Sequence, residues 1–215
     1  MSLPIITAGD DVAVRERAPP PRERTKMHKW LSGRSLEMYD AQEAKGFELY
    51  LSKVAEQKIR NHALAYVDQG KEVMGFLLGM VYRHEGREYA LVRDVATTDL
   101  DATAVSVRFD RLAFDKLFEK LDGCDFKYVI VGWYHSHPSY TCFMSATDIQ
   151  TQHSMFNQRY HSAIVIDPVN KQVEAFYLEN DRVESRPFTV YWDEYQNPYY
   201  GRTVRMRAVE NGSTR

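Results

Sequence analysis

Two histidines stand two positions apart in the run His135-Ser136-His137-Pro138. Alternate residues of a β-strand project from the same face, so both imidazoles can reach one ion. Pro138 carries no backbone N–H, so it stops the strand and sends the chain into a loop, where open coordination sites usually lie. A lone H-x-H is weak evidence. Seven positions beyond Pro138 comes Ser145-Ala146-Thr147-Asp148. Ser-x-x-Asp ahead of a helical stretch is first of all a capping-box signature. The capping and ligating roles are compatible, because Asp148 falls in the first helical turn and faces back toward the strand end. Two neutral imidazoles and one carboxylate make a three-ligand set suited to zinc, with water in the fourth position. Cys142 is the one candidate for a fourth protein ligand, which would close the site and make it structural.

A hydrolytic zinc site also needs a proton acceptor that is not itself a ligand. Glu72 is the candidate, an acid at the head of the apolar run Val73-Met74-Gly75-Phe76-Leu77-Leu78-Gly79. Without the histidines, the same carboxylate reads as a solvated strand edge. His153 would lie about one and a half helical turns after Asp148, and His161 opens the next strand. His28, His62 and His84 have no ligand spacing and read as surface or partly buried imidazoles.

These residues need elements to position them. Phe47, Leu49 and Leu51 alternate as in a half-buried strand, and Val54, Ile59, Leu64 and Val67 suggest a helix closed by Gly70. The stretch 72–82 reads as a buried strand, Glu85-Gly86 as a turn, and 89–95 as its antiparallel partner. Residues 97–105 form a polar loop. Phe114, Leu117, Phe118 and Leu121 share one helical face, ending before Gly123. The stretch 128–134 is the near-continuous apolar run of a central strand covered on both faces. A helix over about 147–158, a strand at 163–166, a turn at 167–171, and a meander of 173–178 and 183–190 follow. Residues 1–29, with Pro4 and Pro19-Pro20-Pro21 among charges, read as a Pro- and charge-rich flexible tail that is solvated or serves docking. Residues 30–194 are the domain, and 195–215 a C-terminal tail.

Composition narrows the class. The chain has 215 residues, 44% hydrophobic and 27% charged, which is enough to bury a core without disulfide or metal. A net charge of -2 argues against a nucleic-acid partner. No apolar run approaches a membrane span, and the N-terminus lacks the pattern of a signal peptide, so no membrane is expected. Two cysteines 18 positions apart, Cys124 and Cys142, with no C-x-x-C, point to a reducing, cytoplasmic location.

Together the residues resemble the JAMM, or MPN-plus, metalloprotease family. Its pattern is an upstream Glu, then H-x-H-P, six residues, and S-x-x-D, and here Glu72 in KEVMGFLLG and GWYHSHPSYTCFMSATD fill every position. The likeness continues through DIQTQ after Asp148 and AIVIDPV at 163–169, over roughly residues 46–190. It is strongest to the proteasome-lid deubiquitinase and the signalosome isopeptidase, which also carry a cysteine at the place of Cys142. The endosomal type, with a second structural zinc, fits less well, since the needed Cys and His are absent between Asp167 and Val183.

The resemblance implies an α/β (α+β) fold: a mixed curved β-sheet packed with helices, of cytidine-deaminase-like architecture. It implies one Zn2+ held by His135, His137 and Asp148. Glu72 becomes general base and then acid, and Ser145 a donor to the oxyanion. The implied reaction is hydrolysis after the C-terminal Gly-Gly of ubiquitin or a ubiquitin-like protein, in conjugates or precursors. The tail would bind as an added strand, with Asp99, Asp101, Thr103 and Val105 of the polar loop beside it. The larger partner implied is a proteasome or an AAA-type unfoldase. Two departures stand out: no long helices follow the domain before Arg215, and the second insertion is only the turn Val169-Asn170-Lys171-Gln172. They suggest a pared-down enzyme. Rival readings are a protease that trims a sulfur-carrier or other small protein, and a non-catalytic scaffold of the same fold. A zinc nucleobase deaminase fails, because H-x-E and P-C-x-x-C are absent.

Overall fold

The structure is a computed structural model that describes residues 14–97 and 129–192. The loop at 97–105 beyond Thr97, the helix around 114–121 and the C-terminal tail lie outside the described residues, with Asp99, Asp101, Thr103 and Val105. The described chain runs β1 (Arg15–Glu16), β2 (Thr25–Lys26), α1 (Gly33–Glu43), β3 (Leu49–Ser52), α2 (Lys53–Ala65), β4 (Met74–His84) and β5 (Arg87–Thr97). Then come β6 (Val129–Ser136), α3 (Ala146–Met155), β7 (Ser162–Asp167), β8 (Gln172–Glu179), β9 (Arg182–Ser185) and β10 (Phe188–Tyr191).

The strands form one mixed sheet in the order β2-β10-β3-β5-β4-β6-β7-β8-β9, with β1 paired to β4. β4 and β5 make the long antiparallel hairpin expected around Glu85-Gly86. β6 lies between β4, antiparallel, and β7, parallel. Its sequence is apolar on both faces because the sheet is covered on both. Leu77, Val131, Tyr134, Ile164 and Ile166 face α2 on one side. Met74, Phe76, Trp133, Val165 and Phe176 pack with Phe156, just past α3, on the other.

A bulge in β6 sets which residues face which layer. Leu77 pairs with Gly132 while Leu78 pairs with Ile130, leaving Val131 as the extra residue. Without it, Val131, Trp133 and His135 would share a face; with it, Val131 joins the α2 layer and Trp133 the α3 layer. Gly132 sits at φ 150°, and a Cβ there would lie 1.9 Å from the Ser162 carbonyl oxygen, so only glycine fits.

Three expectations change. β3 is buried throughout rather than half-buried, because β10 and β5 flank it and α2 covers it. α2 buries Ala55, Ile59 and Ala63, while Val54 and Leu64 are exposed. The small alanines let the helix sit close to the sheet, and Ser52 caps it by accepting from Ala55 N at 3.0 Å. The meander stops at β9; β10 crosses to the other side of the sheet and runs parallel to β3.

The segment 14–29, read as part of a flexible tail, is docked. β1 extends the edge of β4 that β6 leaves free, and β2 pairs with β10. His28 is buried: its Nδ1 accepts from Trp30 N at 3.0 Å and its Nε2 bonds Glu56 at 3.1 Å. Composition showed few apolar residues here; backbone pairing and one buried imidazole do the anchoring instead.

Candidate active site

His135 lies near the end of β6, and the chain continues into the loop at Pro138. The residue between the histidines ties this end to its neighbour. Ser136 N donates to Val73 O at 2.9 Å, and Val73 N donates to Ser136 Oγ at 2.9 Å. Met74 pairs with His135, so Glu72 stands two residues further along, beside the end of the histidine pair.

The loop after Pro138 returns across the strand end and enters α3. Asp167, fully buried at the end of β7, holds that loop by accepting from Ser139 N at 3.1 Å and Thr141 N at 2.8 Å. The same carboxylate accepts from Val169 N, Asn170 N and Asn170 Nδ2. Ser139 and Thr141 take positive φ of 71° and 68°, which these bonds stabilise. Helix α3 then opens with a full capping box: Ser145 Oγ accepts from Asp148 N, and Asp148 Oδ2 accepts from Ser145 N at 2.7 Å.

The result is a convergence. Asp148 Oδ2 lies 3.5 Å from His135 Nε2 and 3.7 Å from His137 Nε2, and all three residues are buried. Among the described residues this is the one cluster of His, Cys, Asp or Glu able to hold a metal. Ligand atoms at about 2.0–2.2 Å from a tetrahedral ion stand about 3.4 Å apart, which these spacings match. Among the described residues, both ring nitrogens of His135 are buried without a hydrogen-bond partner. A buried polar atom left so is costly unless something else occupies it. The donor set and the geometry fit a divalent cation such as zinc.

The electrostatics agree. Burial, with His135 alongside, lowers the His137 pKa to about 4, so its ring is neutral and able to ligate. Burial would raise Asp148, but His135 and the Ser145 cap outweigh it and hold the carboxyl at about 2. Glu72 goes the other way. Burial raises its pKa, His135 pulls it down, and Asp148 adds to the rise. One acid is thus held ionised, while burial pushes the other up from its ordinary value.

The remaining histidines are elsewhere. His161 is buried and accepts from Gln158 N, His62 bonds the Tyr134 hydroxyl, and His28 bonds Glu56. Cys142 is not in the cluster; its thiol donates to Val165 O at 3.3 Å, and burial pushes it up to about 12. The supports Ser136, Asp167, Trp133 and Gln152 were not singled out in the sequence. Asp167 lay inside the quoted AIVIDPV run, and its place at a strand end before Pro168 is the signal that could have found it.

Comparison with known proteins gives the same answer. Residues 45–162 match the family model described as JAB1/Mov34/MPN/PAD-1 ubiquitin protease. The chain belongs to this family. Its His135, His137 and Asp148 are brought together as one group able to hold a metal. It is 37% identical over 123 residues to COP9 signalosome complex subunit 5 of Kluyveromyces lactis, covering 55% of this chain and 31% of that one. It is 34% identical over 138 residues to ubiquitin carboxyl-terminal hydrolase RPN11 of Saccharomyces cerevisiae, covering 60% and 43%. The chain thus spans less than half the length of these curated relatives. A solution structure of a protein from Desulfitobacterium hafniense is 19% identical at a TM-score of 0.46, covering 67% of this chain and 94% of that one. Among the described residues no helix is long and apolar enough to cross a membrane.

Proposed function

We propose that the chain is a zinc-dependent isopeptidase that hydrolyses the bond after the C-terminal Gly-Gly of ubiquitin or a ubiquitin-like modifier. The observation that carries the reading is the meeting of Asp148 Oδ2 with both imidazole Nε2 atoms, beside a half-buried Glu72. His135, His137 and Asp148 hold the ion in this reading. Zinc, when bound, supplies Lewis acidity toward the scissile carbonyl and an attacking water.

The chain's own residues do the rest. Glu72 accepts a proton from the attacking water and delivers it to the leaving amine, and its raised pKa suits a group that must hold the proton between the two steps. Ser145 Oγ spends a lone pair on Asp148 N, which leaves its hydroxyl hydrogen free to donate to the carbonyl oxygen as charge builds there. Asp167 holds the connecting loop between His137 and Ser145 in place.

The family description and the relatives' names, a ubiquitin carboxyl-terminal hydrolase among them, support this substrate class. In this reading the loop that carries Asp99, Asp101, Thr103 and Val105 receives the extended tail. A proteasome or an AAA-type unfoldase in the cytoplasm is the setting. The test is cleavage of a ubiquitin isopeptide conjugate by the zinc-loaded protein. Cleavage that stops on chelation and returns with zinc supports the reading. A zinc-loaded protein that leaves both conjugates and ubiquitin-like precursors intact overturns it.

A further inference from the structure

Among the described residues, the His135 ring is held by a stacking contact. Metal-ligating imidazoles almost always donate their second nitrogen to a carboxylate, carbonyl or water, which fixes their orientation. Among the described residues, His135 Nδ1 has no hydrogen-bond partner. The ring is instead stacked on the indole of Trp133, with centroids 4.5 Å apart and planes at 16°. Trp133 stacks in turn on Phe156, with centroids 5.8 Å apart and planes at 17°.

A stacked ring can slide unless its support is pinned. Trp133 is held by a short bond, its indole N–H donating to Gln152 Oε1 at 2.7 Å. Gln152 is 1% exposed, and its amide nitrogen donates to Phe156 O at 2.9 Å, so its flip state is fixed by both partners. The placement is what matters. Gln152 is one helical turn after Asp148 on α3, and Trp133 is two residues before His135 on β6. One hydrogen bond therefore braces the helix that carries the carboxylate against the strand that carries the imidazole.

We propose that Gln152 is a positioning residue of the metal centre, acting through Trp133 on the His135 ring and on the distance between β6 and α3. The inference rests on the metal-site reading above. It says nothing of the substrate. Loss of an outer support of this kind costs about 10–100-fold in metal affinity.

The experiment measures zinc affinity of the metal-stripped full chain by competition with a chromophoric chelator. Wild type is compared with Gln152→Met, Trp133→Phe and the double variant, with folding checked by circular dichroism. Gln152→Met keeps the volume and removes the brace; Trp133→Phe keeps a stacking ring and removes the N–H donor. Each single variant should bind zinc about tenfold more weakly or worse. The effect of Gln152→Met should largely vanish in the Trp133→Phe background, because the brace is already gone. Equal affinity in wild type and Gln152→Met, or the same loss in both backgrounds, overturns the proposal. Should Gln152→Met fail to fold, Trp133→Phe decides, and unchanged zinc binding there overturns it. A wild type that binds no zinc instead sinks the metal-site reading itself, and one that binds zinc but cleaves nothing sinks only the protease reading.

Discussion

Asp148 and Ser145 exchange two hydrogen bonds at the start of α3, and the Asp148 oxygen that accepts from Ser145 N is the one that faces His135 and His137. The capping box and the ligand set are one structure. The cap fixes the carboxylate rotamer before any ion arrives, so little side-chain entropy remains to be lost on binding.

Ser145 therefore has two separable jobs. Ser145→Ala should lower unfolding free energy by about 1 kcal/mol through the lost cap. It should also lower kcat by about 10²–10³ through the lost donor. Ser145→Thr keeps both groups and should restore both quantities. A denaturant titration and a turnover assay on the same samples check this. Ser145→Ala with full kcat would remove the hydroxyl from the chemistry and leave only the cap.

Gly132 rephases β6 so that Trp133 and His135 face α3. Gly132→Ala drives a methyl into the Ser162 backbone, 1.9 Å from its oxygen, and the strand pair must separate. The expected cost is about 1–3 kcal/mol of stability, with weaker zinc binding than wild type. Thermal unfolding and chelator competition measure the two. A fully stable Gly132→Ala would mean that the bulge is not held by this contact.

The buried network at Glu56 makes the docked N-terminal segment acid-sensitive. Glu56 is 2% exposed and accepts from His28 Nε2, from Lys53 and from Arg60 Nε at 2.9 Å. Burial alone would raise its pKa, but these donors depress it strongly. A depressed carboxyl contributes stability that is fully present above its unfolded value of about 4.3 and is lost as pH falls toward the folded one. Burial also lowers the pKa of His28, so protonating it as pH falls below about 6.5 weakens the fold in the same direction. Stability should therefore decline from about pH 6 downward. Glu56→Gln should cost about 3–5 kcal/mol at neutral pH, since three donors lose their charged partner. It should also flatten the acid limb below pH 5, and an unfolding series from pH 3 to pH 8 measures both effects. An unchanged acid limb in Glu56→Gln would place the sensitivity elsewhere.

Asp167 is the hub of the loop between His137 and Ser145. Asp167→Ala leaves the Ser139, Thr141, Val169 and Asn170 backbone donors without their acceptor. It should cost about 3 kcal/mol or more, and the same loss of loop order should lower kcat. Asp167→Asn retains one acceptor oxygen and should fall between. Equal activity in all three proteins would remove the loop anchor from the account.

Much of this site was legible before any coordinates, and for a physical reason. Ligation and proton transfer demand particular atoms, so His135, His137, Asp148 and Glu72 announce themselves by type and spacing. The alternation and apolar runs likewise located the hairpin at Glu85-Gly86 and the central strand, because burial on two faces leaves few polar choices. What was not legible is what depends on partners far along the chain. β10 resembles the next strand of a meander, and only its parallel pairing with β3 removes it from that position. Val54 and Leu64 look like a helix core, yet the small faces of Ala55 and Ala63 decide which side meets the sheet. The segment around His28 reads as a tail because its anchor is one histidine meeting Glu56 from another element. Gln152 and Trp133 look like ordinary helix and strand residues until the fold brings them together.

The most direct measurement is cleavage of a ubiquitin isopeptide conjugate by zinc-loaded wild type and by Glu72→Gln, with bound zinc quantified in both. Glu72 is outside the ligand set, so the variant should retain its zinc while losing about 10²–10⁴ of the rate. Wild-type rate in Glu72→Gln with zinc still bound would contradict the assignment of the proton transfers to this carboxylate, and with it the mechanism built on this site.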